Sequence, residues 1–255
     1  MPCGPGAGCR VEPAGPTSPE GGRAGGDLPG RVALLALEAG LFLVRSSPRR
    51  YPLTEAALRE RVAAAWKTGY EAGAALRRRW PAATAEQVAR ELGVPVRDEA
   101  TSPLGTAASR LRLAGFIPGR GITLYRDGLQ ALERVLSAWL PENGVGESLA
   151  RDVLLAHELF HALSREARGA VAGIVRPADL AVARRFGYPA RCLGIPFRAA
   201  IPELDEVAAH GFSTAWTRLP VPALLLHACL AARYDAAWAS WCREHGVGPG
   251  LKAGT

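Results

Sequence analysis

His157, Glu158 and His161 form the segment His-Glu-Leu-Phe-His, whose residue types and spacing could hold a metal ion. Residues four apart lie on one face of an α-helix, so the two imidazoles can bind the same ion through their ring nitrogens. Glu158 is turned by about 100° from His157, which places its carboxylate beside the ion rather than on it. The pattern predicts Zn²⁺ as cofactor, with His157 and His161 as metal ligands and Glu158 as the catalytic general base.

The chemistry predicted by this segment is hydrolysis of a peptide bond. Zinc lowers the pKa of a bound water to about 7, and a carboxylate can then take the proton and pass it to a leaving amine. The alternative is two histidines that are simply packed and hydrogen-bonded on an apolar helix face. Two ionisable rings and a carboxylate would cost several kcal/mol to bury there without partners, which favours the metal site.

A catalytic zinc site needs a third protein ligand and one open position. The metzincin extension would require Gly at position 164 and a ligand at position 167, and the chain has Ser164 and Ala167, which excludes that class. Downstream, residues 203–212 are the only stretch with carboxylates and a histidine grouped on one predicted helix. Glu206 and His210 are four apart and share a face of that helix.

The segments around His157 and Glu206 resemble the gluzincin arrangement and, more narrowly, the ImmA/IrrE family of bacterial metallopeptidases. In that family a downstream Glu is the third ligand, usually followed by Asn four positions later and by Phe two further on. Glu206, His210 and Phe212 fall on those places, so the resemblance implies Glu206 as the third metal ligand. Because His210 replaces the usual Asn or Asp, it is either a partner that hydrogen-bonds His157 or an alternative ligand. The similarity covers about Ala85 to Leu219, and only the two helical motifs are specific.

The helix and strand patterns predict an α+β fold, a mainly helical single domain with a small β-sheet packed on the motif helix in a zincin-like manner. Residues 1–30, rich in Gly and Pro, are expected to be a disordered tail, and residues 31–250 a zincin-like metallopeptidase domain. Ser148 is the expected N-cap of the motif helix. Helices are predicted over residues 31–45, 55–80, 85–92, 128–139, 148–168, 178–186, 203–219 and 222–245, and strands over 94–96, 110–116 and 121–125.

Several further residues are assigned from their positions in these elements. The strand Gly121 to Tyr125 is interpreted as an edge strand along which an extended substrate adds by main-chain hydrogen bonds. Tyr125 and Tyr188 are candidates to stabilise an oxyanion, although no spacing distinguishes them. His227 and His245 are expected to be surface or core histidines, and Glu203 and Asp205 to favour the N-terminus of their helix electrostatically.

Composition limits the classes of partner. The net charge of +7 comes almost wholly from arginines spread along the chain, with lysine only at Lys67 and Lys252. The five cysteines show no paired spacing, and no apolar run of about 18 residues is free of charge. Since the N-terminus also lacks the pattern of a signal peptide, a cytoplasmic protein without a membrane span is expected. The expected partner is a peptide or protein substrate, and nucleic acid is not favoured.

Three functions are compatible with these patterns. The first is an intracellular zinc endopeptidase that cuts a regulatory protein. The alternative is a zinc-containing module that binds protein or nucleic acid without catalytic activity, although no helix-turn-helix or aromatic-basic strand favours it. The third, a toxin or antitoxin partner that acts on one cellular protein, has the same sequence signature as the first. The oligomeric state has no signature in the sequence.

Overall fold

The first two helices begin where apolar spacing and cap chemistry predict them. The computed structural model describes residues 30–101, 112–140, 147–166, 173–192 and 195–248. Helix α1 (Gly30–Arg45) buries one apolar face, and α2 (Glu55–Arg79) starts at the Thr54 N-cap, whose hydroxyl accepts from the Ala57 amide at 3.2 Å. Apart from Gly30, the predicted tail lies outside the described residues.

Helix α2 packs unusually closely against α8 (Glu203–Thr217) through glycines. A Cβ atom on Gly69 would lie 1.8 Å from the carbonyl oxygen of Ala208, and one on Gly73 would lie 2.4 Å from that of Phe212. Gly211 of α8 makes the reciprocal approach to α2. The backbones can lie this close only because these positions have no side chain, so a larger residue at any of them would push the two helices apart.

A small mixed sheet lies on the other side of the domain. Its strands are β1 (Val96–Glu99), β2 (Ala114–Ile117) and β3 (Gly121–Tyr125), in the order β1-β3-β2. Strand β3 pairs parallel with β1 and antiparallel with β2. The predicted edge position of the strand Gly121–Tyr125 is therefore wrong, because β3 is central and β1 and β2 are the edges among the described strands.

Strands β2 and β3 pack against the motif helix α5 (Glu147–Arg165), as do the flanking helices α3 (Ala85–Glu91) and α4 (Arg126–Trp139). Thr84 and Gln87 form the predicted capping box of α3. The predicted N-cap Ser148 is wrong, since it lies inside the first turn of α5. The predicted extension of this helix to residue 168 falls partly outside the described residues, as does the start of the predicted strand 110–116.

Between α5 and α8 the chain forms two short helices and a hairpin. Helices α6 (Pro177–Leu180) and α7 (Val182–Arg185) replace the single helix predicted over 178–186. Strands β4 (Tyr188–Cys192) and β5 (Ile195–Ala199) then pair antiparallel. This hairpin was not predicted, because its glycines and prolines favour loop structure in the sequence.

The predicted last helix over residues 222–245 is wrong, because two helices occupy this range. Helix α9 (Ala223–Ala231) ends in a turn, and α10 (Ala236–His245) begins after Asp235, whose carboxylate accepts from the amides of Ala237 and Trp238. The N-cap bond of Asp235 starts a new helix where apolar periodicity alone predicts continuation.

The described residues form one mainly helical domain with a small sheet, which agrees with the predicted α+β class. A continuous apolar core joins α1, α2, α4, α5, α8 and α9. None of the described helices has the length and apolar character needed to cross a membrane.

Candidate metal centre

The two motif histidines lie on the same face of α5, as their spacing predicts. Their Nε2 atoms are 3.3 Å apart, and their ring centroids are 5.1 Å apart. His161 is buried at 5% exposure, and its Nδ1 has no hydrogen-bond partner among the described residues. Nε2 therefore makes all the polar contacts of the His161 ring, one with His157 and one with Glu206 of α8.

Glu206 of α8 brings its carboxylate to these two nitrogens. Its Oε2 lies 3.2 Å from Nε2 of His157, and its Oε1 lies 3.4 Å from Nε2 of His161. Tetrahedral zinc with bonds of about 2.0–2.1 Å holds neighbouring ligand atoms about 3.3–3.4 Å apart. The three side chains thus present donor types and separations that fit a zinc ion, and they are the only such group among the described residues.

Contacts between α5 and α8 hold Glu206 at this position. The Ser213 hydroxyl donates to the carbonyl of Val153 at 2.8 Å, and the indole of Trp216 donates to Asp152 at 3.1 Å. Burial raises the pKa of Asp152, although its bonds from the Ala85 amide and from Trp216 act in the opposite direction. These buried and partly buried bonds connect α3, α5 and α8, so the third candidate ligand sits on a packed scaffold.

The charges of the three candidate ligands depend on one another. Burial alone would lower the pKa of His161, but the carboxylates of Glu206 and Glu158 outweigh it and raise the pKa to about 9. Burial alone would raise the pKa of Glu206, but the charge of His161 and hydrogen bonds from both histidines hold this pKa well below its usual value. The carboxylate of Glu206 is therefore ionised and already attracts a positive charge, which in the metal-free site is the protonated ring of His161.

Glu158 lies next to the cluster without joining it. It is 8% exposed, lines the same cavity as His157 and Glu206, and raises the pKa of His161 through its charge. No side chain among the described residues hydrogen-bonds its carboxylate. This is the place that the sequence predicts for a group that takes a proton rather than binds the metal.

The cluster lies in the wall of a cavity of about 400 Å³. Its lining combines the polar groups of the candidate site with a largely apolar wall from α1, α4, α5, α9 and α10 and the start of β2. The apolar lining includes Leu43, Leu113, Leu132, Leu154, Leu230 and Trp238. A cavity of this size and mixed character suits a small ligand or a few residues of a polypeptide.

His210 packs against His157 and lines the same cavity, but it does not join the converging donor atoms. Its ring centroid is 4.5 Å from that of His157, and it is absent from the group of converging donors. Burial, then the charge of His157, lowers the pKa of His210 well below its usual value. The geometry thus fits His210 as a packing partner of a ligand and gives no support to it as the alternative ligand.

His227 lines the cavity, which its position in the last predicted helix did not indicate. Its ring centroid lies 5.0 Å from that of His210. Burial lowers the pKa of His227 to about 4, so the ring is neutral at pH 7. Tyr234 lines the cavity as well. No sequence signal places either residue there, because the face that α9 turns to the cavity and the path of the turn after it depend on tertiary packing.

Neither predicted oxyanion tyrosine is among the described residues that line this cavity. Tyr125 is buried at the end of β3, and Tyr188 contacts Tyr51 edge to face with ring centroids 5.9 Å apart. His245 stacks on Trp241 away from the cluster, as expected for a structural histidine.

The two remaining acidic residues of α8 have specific contacts in addition to their place in its first turn. The Glu203 carboxylate accepts from Ser47 at 2.6 Å and from the hydroxyl of Tyr51. Burial and this bond raise the pKa of Tyr51 to about 12. Asp205 accepts from the amide of Ala183 at 2.8 Å.

No family model, curated protein or solved structure matches this chain. The geometry and chemistry of the site itself are therefore the basis for inferring its function.

Proposed function

We propose that the protein is a zinc-dependent metallopeptidase of the gluzincin type, similar to the ImmA/IrrE family. The observation that carries the proposal is the convergence of His157, His161 and Glu206 donor atoms at separations of 3.2–3.4 Å, beside Glu158 and an open cavity. We also propose that the packing of the small sheet on α5 is zincin-like.

The number of ligands and the open side favour a catalytic over a structural ion. Structural zinc sites use four protein ligands, whereas catalytic sites use three and leave one position open. Here the converging group has three members among the described residues, and it borders a cavity of about 400 Å³. This supports an enzyme over a binding module with a structural zinc.

Each residue then has a separate role. His157, His161 and Glu206 would hold the ion, which when bound lowers the pKa of a coordinated water to about 7. Glu158 takes the proton of the attacking water and delivers it to the leaving amine. The apolar cavity wall excludes bulk water and receives the side chain next to the cut bond.

An extended substrate is proposed to add along β2, which replaces the predicted role of β3. Among the described strands β2 is an edge of the sheet, and Leu113, just before it, and Ala114, its first residue, line the cavity. The Tyr125 amide donates to the carbonyl of Leu113 at 3.2 Å. Because hydrogen-bonded positions alternate in an antiparallel pair, the Ala114 amide points away from β3, to an edge that no described strand occupies, where it can donate to a substrate carbonyl.

The deciding experiment is Glu158→Gln with zinc analysis and cleavage of a denatured proteome library followed by mass spectrometry. We expect one zinc per chain in wild type and variant, with cleavage reduced roughly 10²- to 10⁴-fold in the variant. Glu60→Gln, an exposed change on α2, is the matched control and should cut like wild type. Retention of full cleavage by Glu158→Gln would contradict the proposal.

A further inference from the structure

The β4–β5 hairpin has two chemically different faces. Residues directly opposite each other in an antiparallel pair share a face. The pairs Ala190↔Phe197 and Cys192↔Ile195 are apolar and share one face, whereas Pro189↔Arg198 and Arg191↔Pro196 share the other.

Two large side chains of this apolar face, both on β5, are exposed to solvent. Ile195 is 67% exposed and Phe197 is 49% exposed, and both belong to the small set of exposed large hydrophobic residues in the described part of the chain. Apolar side chains that stay exposed do not contribute the free energy that their burial would give. A two-stranded hairpin is only marginally stable by itself, so this loss matters for its stability. Clustered exposed apolar side chains of this kind mark interaction surfaces.

The two prolines indicate that the surface binds through side chains rather than by strand addition. A proline in a two-stranded pair occupies a position whose nitrogen points away from the partner strand. Pro189 on β4 and Pro196 on β5 therefore each remove an outward amide from an edge of the hairpin. Both edges are poor templates for a further strand.

The charge of this region selects an acidic partner. Residues 182–202 contain no carboxylate and four exposed arginines, Arg184, Arg185, Arg191 and Arg198. The guanidinium of Arg198 donates to the carbonyls of Arg185 and Gly187 at the root of the hairpin, the end at which Tyr188 pairs with Ala199. None of the four forms an ion pair within the described part of the chain, so their charge is available to a partner.

The root of the hairpin is connected to the candidate site. Gly187 approaches Ala199 so closely that a Cβ would lie 2.0 Å from its carbonyl oxygen, which closes the root tightly. Tyr188, on the apolar face, contacts Tyr51 edge to face, and the hydroxyl of Tyr51 donates to Glu203 in the cavity wall. A polypeptide that occupies the cavity thus has an apolar and cationic surface next to it.

We propose that the β4–β5 hairpin is an exosite for the polypeptide substrate, binding a segment with apolar side chains flanked by carboxylates. This inference rests on the proposed peptidase function. A polypeptide fits better than nucleic acid because it can carry apolar side chains for the face of Ile195 and Phe197 and carboxylates that reach the arginines around the edge of the hairpin, whereas a phosphate backbone offers partners for the arginines alone.

The test is to map every bond cut in a denatured proteome library by wild type and two hairpin variants. One variant is Ile195→Ser with Phe197→Ser, and the other is Arg191→Glu with Arg198→Glu. The matched controls are Leu34→Ser on α1, where Leu34 is 62% exposed, and Arg78→Glu with Arg79→Glu on α2. Zinc content and melting temperature are compared to verify that all variants fold.

For wild type and controls we expect apolar and acidic residues to be enriched at a fixed distance from the cut bond. The serine variant should lose the apolar preference, with kcat/KM for long substrates about tenfold or more lower through KM. The charge reversal should change the acidic preference to a basic one. Hexapeptides that span only the cut bond should be cut equally by all.

Unchanged preferences and rates in both hairpin variants would overturn the exosite. It would also be overturned if Arg191→Glu with Arg198→Glu lost affinity for a fluorescent DNA duplex while library cleavage stayed unchanged. Failure of the proposed function has a different signature, since Glu158→Gln would then cut the library as fast as wild type.

Discussion

The Oε2 atom of Glu206 lies 3.2 Å from Nε2 of His157, although the two residues are 49 positions apart in the chain. Because this carboxylate also faces His161, we expect Glu206→Ala to lose zinc. The loss of affinity should exceed the roughly 10- to 100-fold that removal of an outer-shell partner costs. Metal analysis after dialysis against a weak chelator measures the effect.

His210→Asn is the matched comparison, since it exchanges the ring that packs on His157 for the residue usual in the resembling family. We expect this variant to keep one zinc per chain, because the His210 ring packs on His157 and its nitrogens do not join the converging donors. Zinc kept by Glu206→Ala and lost by His210→Asn would reverse the assignment of the third ligand.

Zinc binding is expected to release a proton from His161. The neighbouring carboxylates raise the pKa of this ring to about 9, so it is protonated in the metal-free protein at pH 7, and only the neutral ring can bind a metal. Affinity should therefore rise about tenfold per pH unit from pH 7 to about 9 and then level off. Titration calorimetry in buffers of different ionisation enthalpy counts the proton, and an affinity constant across this range would contradict the prediction.

Local signals in the sequence account for the elements that carry the site. Apolar spacing and caps predict α1, α2, α3 and α8, because a helix start such as Thr54 depends on residues within one turn. The pairing of His157 with His161 follows from helix geometry alone. Glu206 required the resemblance in addition, since no local rule specifies which distant carboxylate meets a given helix.

Features that depend on tertiary contacts were missed. The central position of β3 depends on β1 pairing beside it across a long stretch of chain. His227, within α9, reaches the cavity through the packing of that helix, and the break before α10 at Asp235 is not predicted because the apolar pattern continues there without a Gly or Pro. The hairpin β4–β5 is held by cross-strand pairs, and its prolines suggested a loop.

Ala114→Pro tests whether the substrate adds along β2. The change removes an amide that points to the open edge, and it leaves the β2–β3 hydrogen bonds in place. We expect kcat/KM for long substrates to fall roughly three- to tenfold, as for one lost main-chain hydrogen bond. Ala114→Val, which keeps the amide, is the control. Equal rates for both variants and wild type would exclude β2 as the binding edge.

Gly69→Ala tests whether the close approach of α2 and α8 positions the third ligand. The added methyl would lie 1.8 Å from the carbonyl oxygen of Ala208, two residues after Glu206, so the helices must separate. We expect the free energy of unfolding to fall by about 1–3 kcal/mol or more, as for overpacking, and zinc affinity to fall with it. Denaturant unfolding and zinc titration measure the two effects. Gly30→Ala, whose Cβ would meet nothing within 4 Å, should change neither. If Gly69→Ala lost stability but kept wild-type zinc affinity, α8 would be held in register by its contacts with α5 rather than with α2.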